Sequence, residues 1–483
     1  MHKSLPVRFI TLLCALGCFT YAPTVVAQAQ TPSAAPEWPA TASKEAFVRR
    51  LFDSTLVSGQ SWTLLERLCK DVGHRLTGSE GAAKAVVFAR NQMLRMGYDS
   101  VWLQPVRVPV WKRGALEQAR LVVTTPVAGR FRRENTIELP ILALGGSVAT
   151  PPGGLRAELL EVASLEALKN LPEAQVRGKV VFINQKMDAR FINTFESYSH
   201  CASIRVQGAV EAAQKGAVGV LVRSLTLALD TFPHTGMMVY REDVGRIPAA
   251  AVSTLHAERI HEELQAGSRI EIQMQLNCYS MPDTLSHNVV GQVNGSIHPD
   301  QFLTLGGHLD SWDVGEGAHD DGAGCVHSIE AVRLLLACGY KPRHSIRTVL
   351  YMNEENGLRG AKEYARLAQE RGELHRASIE SDRGGFSPRE FHVEADSAQI
   401  ARLQPAVRYL EDYGINRIRR GGSGADVGQM REQCALLVGF VPDSQRYFDY
   451  HHAHTDVLES VNRRELELGS AALAALLFLL DQE

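Results

Sequence analysis

The sequence predicts an α/β protein: an open mixed sheet flanked by helices, interrupted by an inserted, mostly β segment. Three observations lead there. After Asp283, short apolar runs alternate with amphipathic stretches, the pattern of strands joined by helices. From about Arg120 to Met281 that alternation gives way to short β-rich runs divided by Gly- and Pro-containing turns such as Thr150-Pro151-Pro152-Gly153-Gly154. At 483 residues the chain also exceeds what one hydrophobic core ordinarily supports. The expected organisation is 44–118 with 283–483 as one domain and 119–282 as a second, inserted one.

Residues 1–27 read as a signal peptide. His2, Lys3 and Arg8 give a basic start, Phe9 to Phe19 is apolar and uncharged, and Val25-Val26-Ala27 offers a cleavage site before Gln28. The run is shorter than the ~20 apolar residues of a membrane span, and Pro23 follows it. Leu16-Gly17-Cys18 resembles a lipobox, but Ala15 and Leu16 fit its preferred positions poorly. The expectation is therefore a secreted or periplasmic protein rather than one lipid-anchored at Cys18. Residues 28–43, rich in Ala, Pro, Thr and Gln, are expected to form a flexible lead-in.

From Lys44 the spacing of Phe47, Leu51, Leu56, Leu64, Leu65 and Leu68 predicts helix. A turn at Gly73 to Ser79 precedes a second helix, which Ser79 can cap and Gly97 can end. Val101 to Val110 alternates as a strand does. In the insertion, strands are expected at 119–123, 137–143, 179–184, 217–222 and 270–275, with helix only at 207–215 and 254–266. Beyond it, strands are expected at 288–293, 302–306, 345–352 and 435–441, and helices at 325–338, 359–371, 398–413 and 463–480.

Composition is that of an ordinary globular protein, and a formal net charge of -3 without a basic run argues against nucleic acid as the main partner. Of eight cysteines, Cys14 and Cys18 fall in the leader. Cys69, Cys201, Cys278, Cys325, Cys338 and Cys434 are too scattered for a zinc ribbon. Disulfides are allowed in an oxidising compartment, although Cys325 and Cys338 read equally well as small buried apolar residues.

Four segments carry candidate chemistry. Gly306-Gly307-His308-Leu309-Asp310-Ser311 follows an apolar strand, and Gly317-Ala318-His319-Asp320-Asp321-Gly322 precedes a helix. Asn353-Glu354-Glu355-Asn356-Gly357 ends another strand, and His451-His452-Ala453-His454-Thr455-Asp456 lies in a late loop. Asp382 sits between the last two. Singly each is weak, because a strand-end histidine is more often structural than a ligand and Asp320-Asp321 could merely cap a helix. Jointly they supply the imidazoles and carboxylates that Zn²⁺ requires, at the carboxyl ends of strands where open α/β sheets place their sites. His308 and His454 would each give a nitrogen, Asp320 would bridge two ions, and Glu355 and Asp382 would complete the set. Glu354, pointing away from Glu355, would take a proton from the water between the ions. Asp310 and Asp456, two positions after the proposed histidines, would orient their rings if the backbone there is extended.

These motifs resemble the cocatalytic di-zinc exopeptidase family of bacterial leucyl aminopeptidases and glutamate carboxypeptidases. The Gly421-Gly422-Ser423-Gly424-Ala425-Asp426 and Tyr450-His451-His452-Ala453-His454 runs bring the chain nearest to the plasma glutamate carboxypeptidase branch. The resemblance implies a zinc exopeptidase fold with two zinc ions, His308 and Asp382 on one, Glu355 and His454 on the other, Asp320 between them and Glu354 as base. It also implies a cis Asp320-Asp321 peptide, short peptide substrates, a homodimer, and a protease-associated domain in the insertion. One departure stands out. The positions where family members place a tyrosine near the oxyanion are Gly422 and Ala453 here, so that role falls to zinc, to backbone N–H groups about Ser423 and Gly424, or to His452. Arg383 and Arg359 could receive a substrate carboxylate; whether the amino or the carboxyl end is recognised stays open. A glutaminyl cyclase with one zinc, or a metal-free binding protein of the same fold, are the alternatives, and the full ligand set with Glu354 argues against both.

Overall fold

The computed structural model describes residues 43–126 and 132–483. The expected signal peptide and all of the lead-in except Ser43 lie outside the described residues. Two eight-stranded sheets organise the chain. The first runs in the order Ser100–Lys112, Tyr279–Val293, His344–Tyr351, His298–His308, Leu374–Glu380, Leu437–Pro442, Pro388–Glu394, Arg417–Arg420. Its four central strands, from 344–351 to 437–442 in that order, are parallel. Antiparallel pairings flank them on both sides, so the sheet is mixed as expected.

Helices cover both faces. Ala323–Ala337 and Arg463–Asp481 pack on one, and Arg359–Arg371 lays Ala361, Tyr364, Ala365 and Ala368 against Val290, Val349 and Tyr351 on the other. Every residue of His344–Tyr351 is consequently buried, the polar His344, Ser345, Arg347 and Thr348 included. Ser79 caps Glu80–Arg95 by accepting from the Ala82 N–H at 3.0 Å, and Gly97 follows that helix with φ of +88°. Expected helix 398–413 is instead Ser397–Leu403 followed by 3₁₀ turns at Gln404–Tyr409 and Glu411–Tyr413. Pro405 has no N–H to continue the α-helical ladder. Strands Leu374–Glu380, Pro388–Glu394 and Arg417–Arg420 were not expected.

The second sheet is built wholly from residues between Glu117 and Leu276. The chain leaves for it and returns along a paired ribbon, with Lys112 opposite Tyr279 and Val110 opposite Met281. Strands Leu155–Val162 and Ala249–Val252 add to those expected. The main departure is the helix Thr194–Gln214, of 21 residues, where sequence patterning predicts only its last third. Its N-terminal half, rich in Ser, Cys and aromatic residues, has modest intrinsic helix preference. Packing supplies what propensity does not: Cys201, Ile204, Ala209 and Ala212 join a core that also contains Phe386, Tyr447 and Phe448 of the first sheet's connections. All six described cysteines are free thiols. Among the described residues no helix is long and apolar enough to cross a membrane.

Candidate metal centre

Three adjacent parallel strands deliver three of the candidate ligands, His308, Glu355 and Asp382, with Glu354 beside the second, at or just beyond their carboxyl ends. His308 closes His298–His308, Glu354 and Glu355 follow His344–Tyr351, and Asp382 follows Leu374–Glu380. Asp320 arrives from a tight turn, Ala318–Gly322, whose Asp320–Asp321 peptide is cis, as the resemblance implies. Asp321 accepts from the His308 N–H at 3.0 Å and from the Gly324 N–H at 2.9 Å. It thereby ties the strand end to the start of the following helix. The fifth group is His452, in the turn after Tyr447–Tyr450.

Asp320 is shared between two halves of the cluster. Its Oδ1 lies 3.1 Å from His308 Nε2, which is also 3.4 Å from Asp382 Oδ1. Its Oδ2 lies 3.2 Å from His452 Nε2, which is 3.1 Å from Glu355 Oε2. Potential ligand atoms of His308, Asp320 and Asp382, and of Asp320, His451 and His452, fall in two groups, each within 4.8 Å. Main-chain acceptors set the ring tautomers. His308 Nδ1 donates to the Asp310 carbonyl at 2.9 Å and His452 Nδ1 to the Thr235 carbonyl at 3.2 Å, so both rings turn Nε2 inward.

The donor set fits metal cations. Asp320 Oδ2, Glu355 Oε1 and Asp382 Oδ1 are buried with no hydrogen-bond partner, a costly arrangement unless a positive charge completes it. Burial, followed by the Asp320 charge, pushes Glu355 up to about 7. Burial likewise raises Asp382, and raises Glu354 well above the carboxylate range with Asp382 and Glu355 adding to it. Burial would strip the proton from His308, but Asp382 and Asp320 outweigh it and hold that imidazole well above its usual value. Mutually repelling acids packed around inward-facing imidazoles are the electrostatics of a site that takes a multivalent cation.

Several sequence expectations need correction. His454 does not reach the cluster: it is exposed, and His452 stands where it was expected. The reason is local backbone. His452 has φ of +63°, its carbonyl accepts from the Thr235 N–H at 2.9 Å, and His234 Nδ1 donates to the His451 carbonyl at 2.7 Å. The 451–456 segment is therefore a chain of turns rather than extended backbone, and residues two apart do not share a side. For the same reason Asp456 does not orient a histidine; it accepts from the His319 and Asp320 N–H groups at 2.7 and 3.1 Å and fixes the Asp320 turn. Asp310 orients His308 with its main-chain carbonyl only. Its carboxylate accepts from the Asn353 N–H (2.6 Å), the Glu354 N–H (3.1 Å) and the Thr77 hydroxyl (2.9 Å), thus holding the strand end that carries Glu354.

The proposed oxyanion donors also change. The Ser423 N–H and hydroxyl both donate to Glu394 Oε1, at 3.1 and 2.7 Å, and Gly424 lies against the Glu380 carboxylate, which accepts from the N–H groups of Ala425 and Val427. Arg383 lines a small side cavity with Asp382 and Ser423, its guanidinium 4.8 Å from the Phe195 ring. Arg359 pairs with Asp283 away from the cluster.

Two sets of residues escaped sequence reading. His451 stacks on His452 with ring centroids 3.5 Å apart, and its Nε2 is 3.8 Å from Asp320 Oδ2. Phe195, Tyr198 and Arg205, all on the helix Thr194–Gln214, help line a cleft of about 400 Å³ above Asp320, Glu354, Glu355 and Asp382. The two aromatic pairs, Phe195 with Tyr198 and Tyr447 with Phe448, were the available signal, but nothing in the sequence joins those two stretches.

A carboxylate shared by two imidazoles, set over the ends of parallel strands in a mixed sheet, is the arrangement of a metal-dependent enzyme of the α/β class. A family model described as Peptidase family M28 matches residues 288–476. The chain is 33% identical to human carboxypeptidase Q over 420 residues, 87% of this chain and 85% of that protein. The crystal structure of a peptidase M28 precursor from Shewanella amazonensis SB2B superposes with a TM-score of 0.84 at 34% identity, covering 91% of this chain and 96% of that one. A zinc aminopeptidase from Bacillus subtilis shares the fold, with a TM-score of 0.58 at 20% identity over 86% of this chain and 93% of its own. The chain belongs to peptidase family M28 and is a metallopeptidase of the carboxypeptidase and aminopeptidase type.

Proposed function

We propose that the chain is an exported exopeptidase that hydrolyses dipeptides or short peptides at two zinc ions. His308 and Asp382 would hold one, Glu355 and His452 the other, with Asp320 common to both. The observation that carries this reading is the division of the Asp320 oxygens between His308 and His452, at 3.1 and 3.2 Å. The two ions would supply the positive charge that acidifies water and draws electron density from the scissile carbonyl.

The chain's own groups do the rest. Glu354 lines the cleft beside Glu355 but makes none of the contacts to the imidazoles, so once bound cations offset the repulsion that raises it, its carboxylate would take a proton from water and return it to the leaving amine. Asp310 fixes it from behind through the Glu354 N–H. Burial holds His451 well below the usual histidine range, and as a neutral ring in the cleft wall it can donate an N–H to a developing oxyanion. The basic and apolar leader ending at Ala27 supports export, and a mature N-terminus at Gln28 would establish it.

Titration of the metal-stripped protein with zinc tests the central claim. Dipeptide hydrolysis should be lost on chelation and should saturate only at two equivalents per chain. Full hydrolysis at a single equivalent would end the two-ion reading, zinc-dependent cyclisation of an amino-terminal glutamine without hydrolysis would favour the cyclase alternative, and hydrolysis indifferent to chelation would end both.

A further inference from the structure

We propose that Arg205 is the anchor for the free carboxylate at the carboxyl end of the substrate. The inference rests on the peptidase reading of the cluster and decides which end of the peptide it recognises. The acids in the cleft, Asp320, Glu354, Glu355 and Asp382, all belong to that cluster; the remaining charged side chains lining it are Arg205 and Lys362, both cationic. No acid is left over to receive a free amine.

Arg205 is 8% exposed, its Nε has no hydrogen-bond partner, and among the described residues it forms no ion pair. Its guanidinium lies against Gly236, where a Cβ would sit 2.4 Å from Nη1, and 5.5 Å from the centre of the Tyr198 ring. Nη1 is 3.4 Å from His452 Nδ1. That nitrogen already donates to the Thr235 carbonyl, so it cannot also accept from Arg205. A buried guanidinium without a counter-anion is costly, and its planar fork matches a carboxylate with two parallel bonds. Because Arg205 meets the outer nitrogen of a ring whose inner nitrogen faces the cluster, it stands one imidazole beyond the reacting centre. That separation suits a carboxylate borne by the residue next to the scissile bond. Lys362, at the exposed rim, donates to the Gly357 carbonyl at 3.1 Å and adds to the positive field at the mouth.

The test compares a dipeptide with its carboxyl-terminal amide, on the zinc-loaded parent and on Arg205→Gln and Arg205→Lys, with bound zinc measured for each. In the parent, amidation should raise KM about tenfold or more, the worth of a charged hydrogen-bonded pair. Arg205→Gln should bind zinc as the parent does but treat acid and amide alike, and Arg205→Lys should recover part of the preference. A parent that cleaves acid and amide equally well, or an Arg205→Gln protein that keeps the preference, overturns the anchor while leaving the peptidase reading intact. A parent that shows no zinc-dependent cleavage of either substrate overturns the peptidase reading itself.

Discussion

His452 Nε2 lies 3.2 Å from Asp320 Oδ2, whereas His454, two residues further along, is exposed to solvent. Substitution should separate them. His452→Ala should lose one equivalent of zinc and more activity than the roughly 10–100-fold that removal of a supporting partner costs. His454→Ala should retain both ions and most of its rate, as read by metal analysis and dipeptide hydrolysis.

Glu354 is next in chain to Glu355, yet only Glu355 meets an imidazole, with Oε2 3.1 Å from His452. Glu354→Gln should therefore keep its zinc while kcat falls about 10²–10⁴-fold, the usual range for loss of a general base. Glu355→Gln should instead weaken zinc binding, measured by competition with a chromogenic chelator.

Arg75 is fully buried and donates to the carbonyls of Leu309 (2.8 Å), Gly73 (3.3 Å), Glu316 (2.6 Å) and Gly317 (2.9 Å). It holds the chain that leaves His308 against the chain that leads to Asp320. Arg75→Met would leave several buried carbonyls without donors, each worth about 1–3 kcal/mol. Denaturant unfolding should show a loss of about 3 kcal/mol or more, with zinc affinity falling alongside.

A pH effect on stability is expected at Glu373. Burial opposes its charge, but the His375 hydrogen bond and Arg347, whose Nη1 is 2.7 Å away, outweigh burial and hold the carboxyl at about 2. Because the folded value lies below the ordinary 4.5, the stabilisation is fully present above about 4.5 and is lost as pH falls toward 2. Melting temperatures taken across that window should decline less steeply for Glu373→Gln than for the parent.

Much of the peptidase sheet could be read directly. Central strands buried on both faces carry short apolar runs such as Val349-Leu350-Tyr351, and the groups at or just past the strand ends, His308, Glu354, Glu355 and Asp382, follow such runs. Strands such as Arg417–Arg420 carry no such run, being exposed at the sheet edge. The helix Thr194–Gln214 was legible only at its C-terminal end, because its first half is stabilised by contacts with Tyr447 and Phe448, some 250 residues away.

The sequence by itself determined a strand-helix sheet and the imidazoles and carboxylates of a metal site at its strand ends. Those follow from short-range pattern: burial period along each strand and polarity at its end. Tertiary structure alone decided which histidine of the late loop turns inward and which cation faces the cleft. Both choices depend on the pairing of 451–452 with 234–235 and on a helix from the second sheet reaching over the first. Such contacts join segments more than 200 residues apart, and no local spacing encodes which of two nearby histidines they will select.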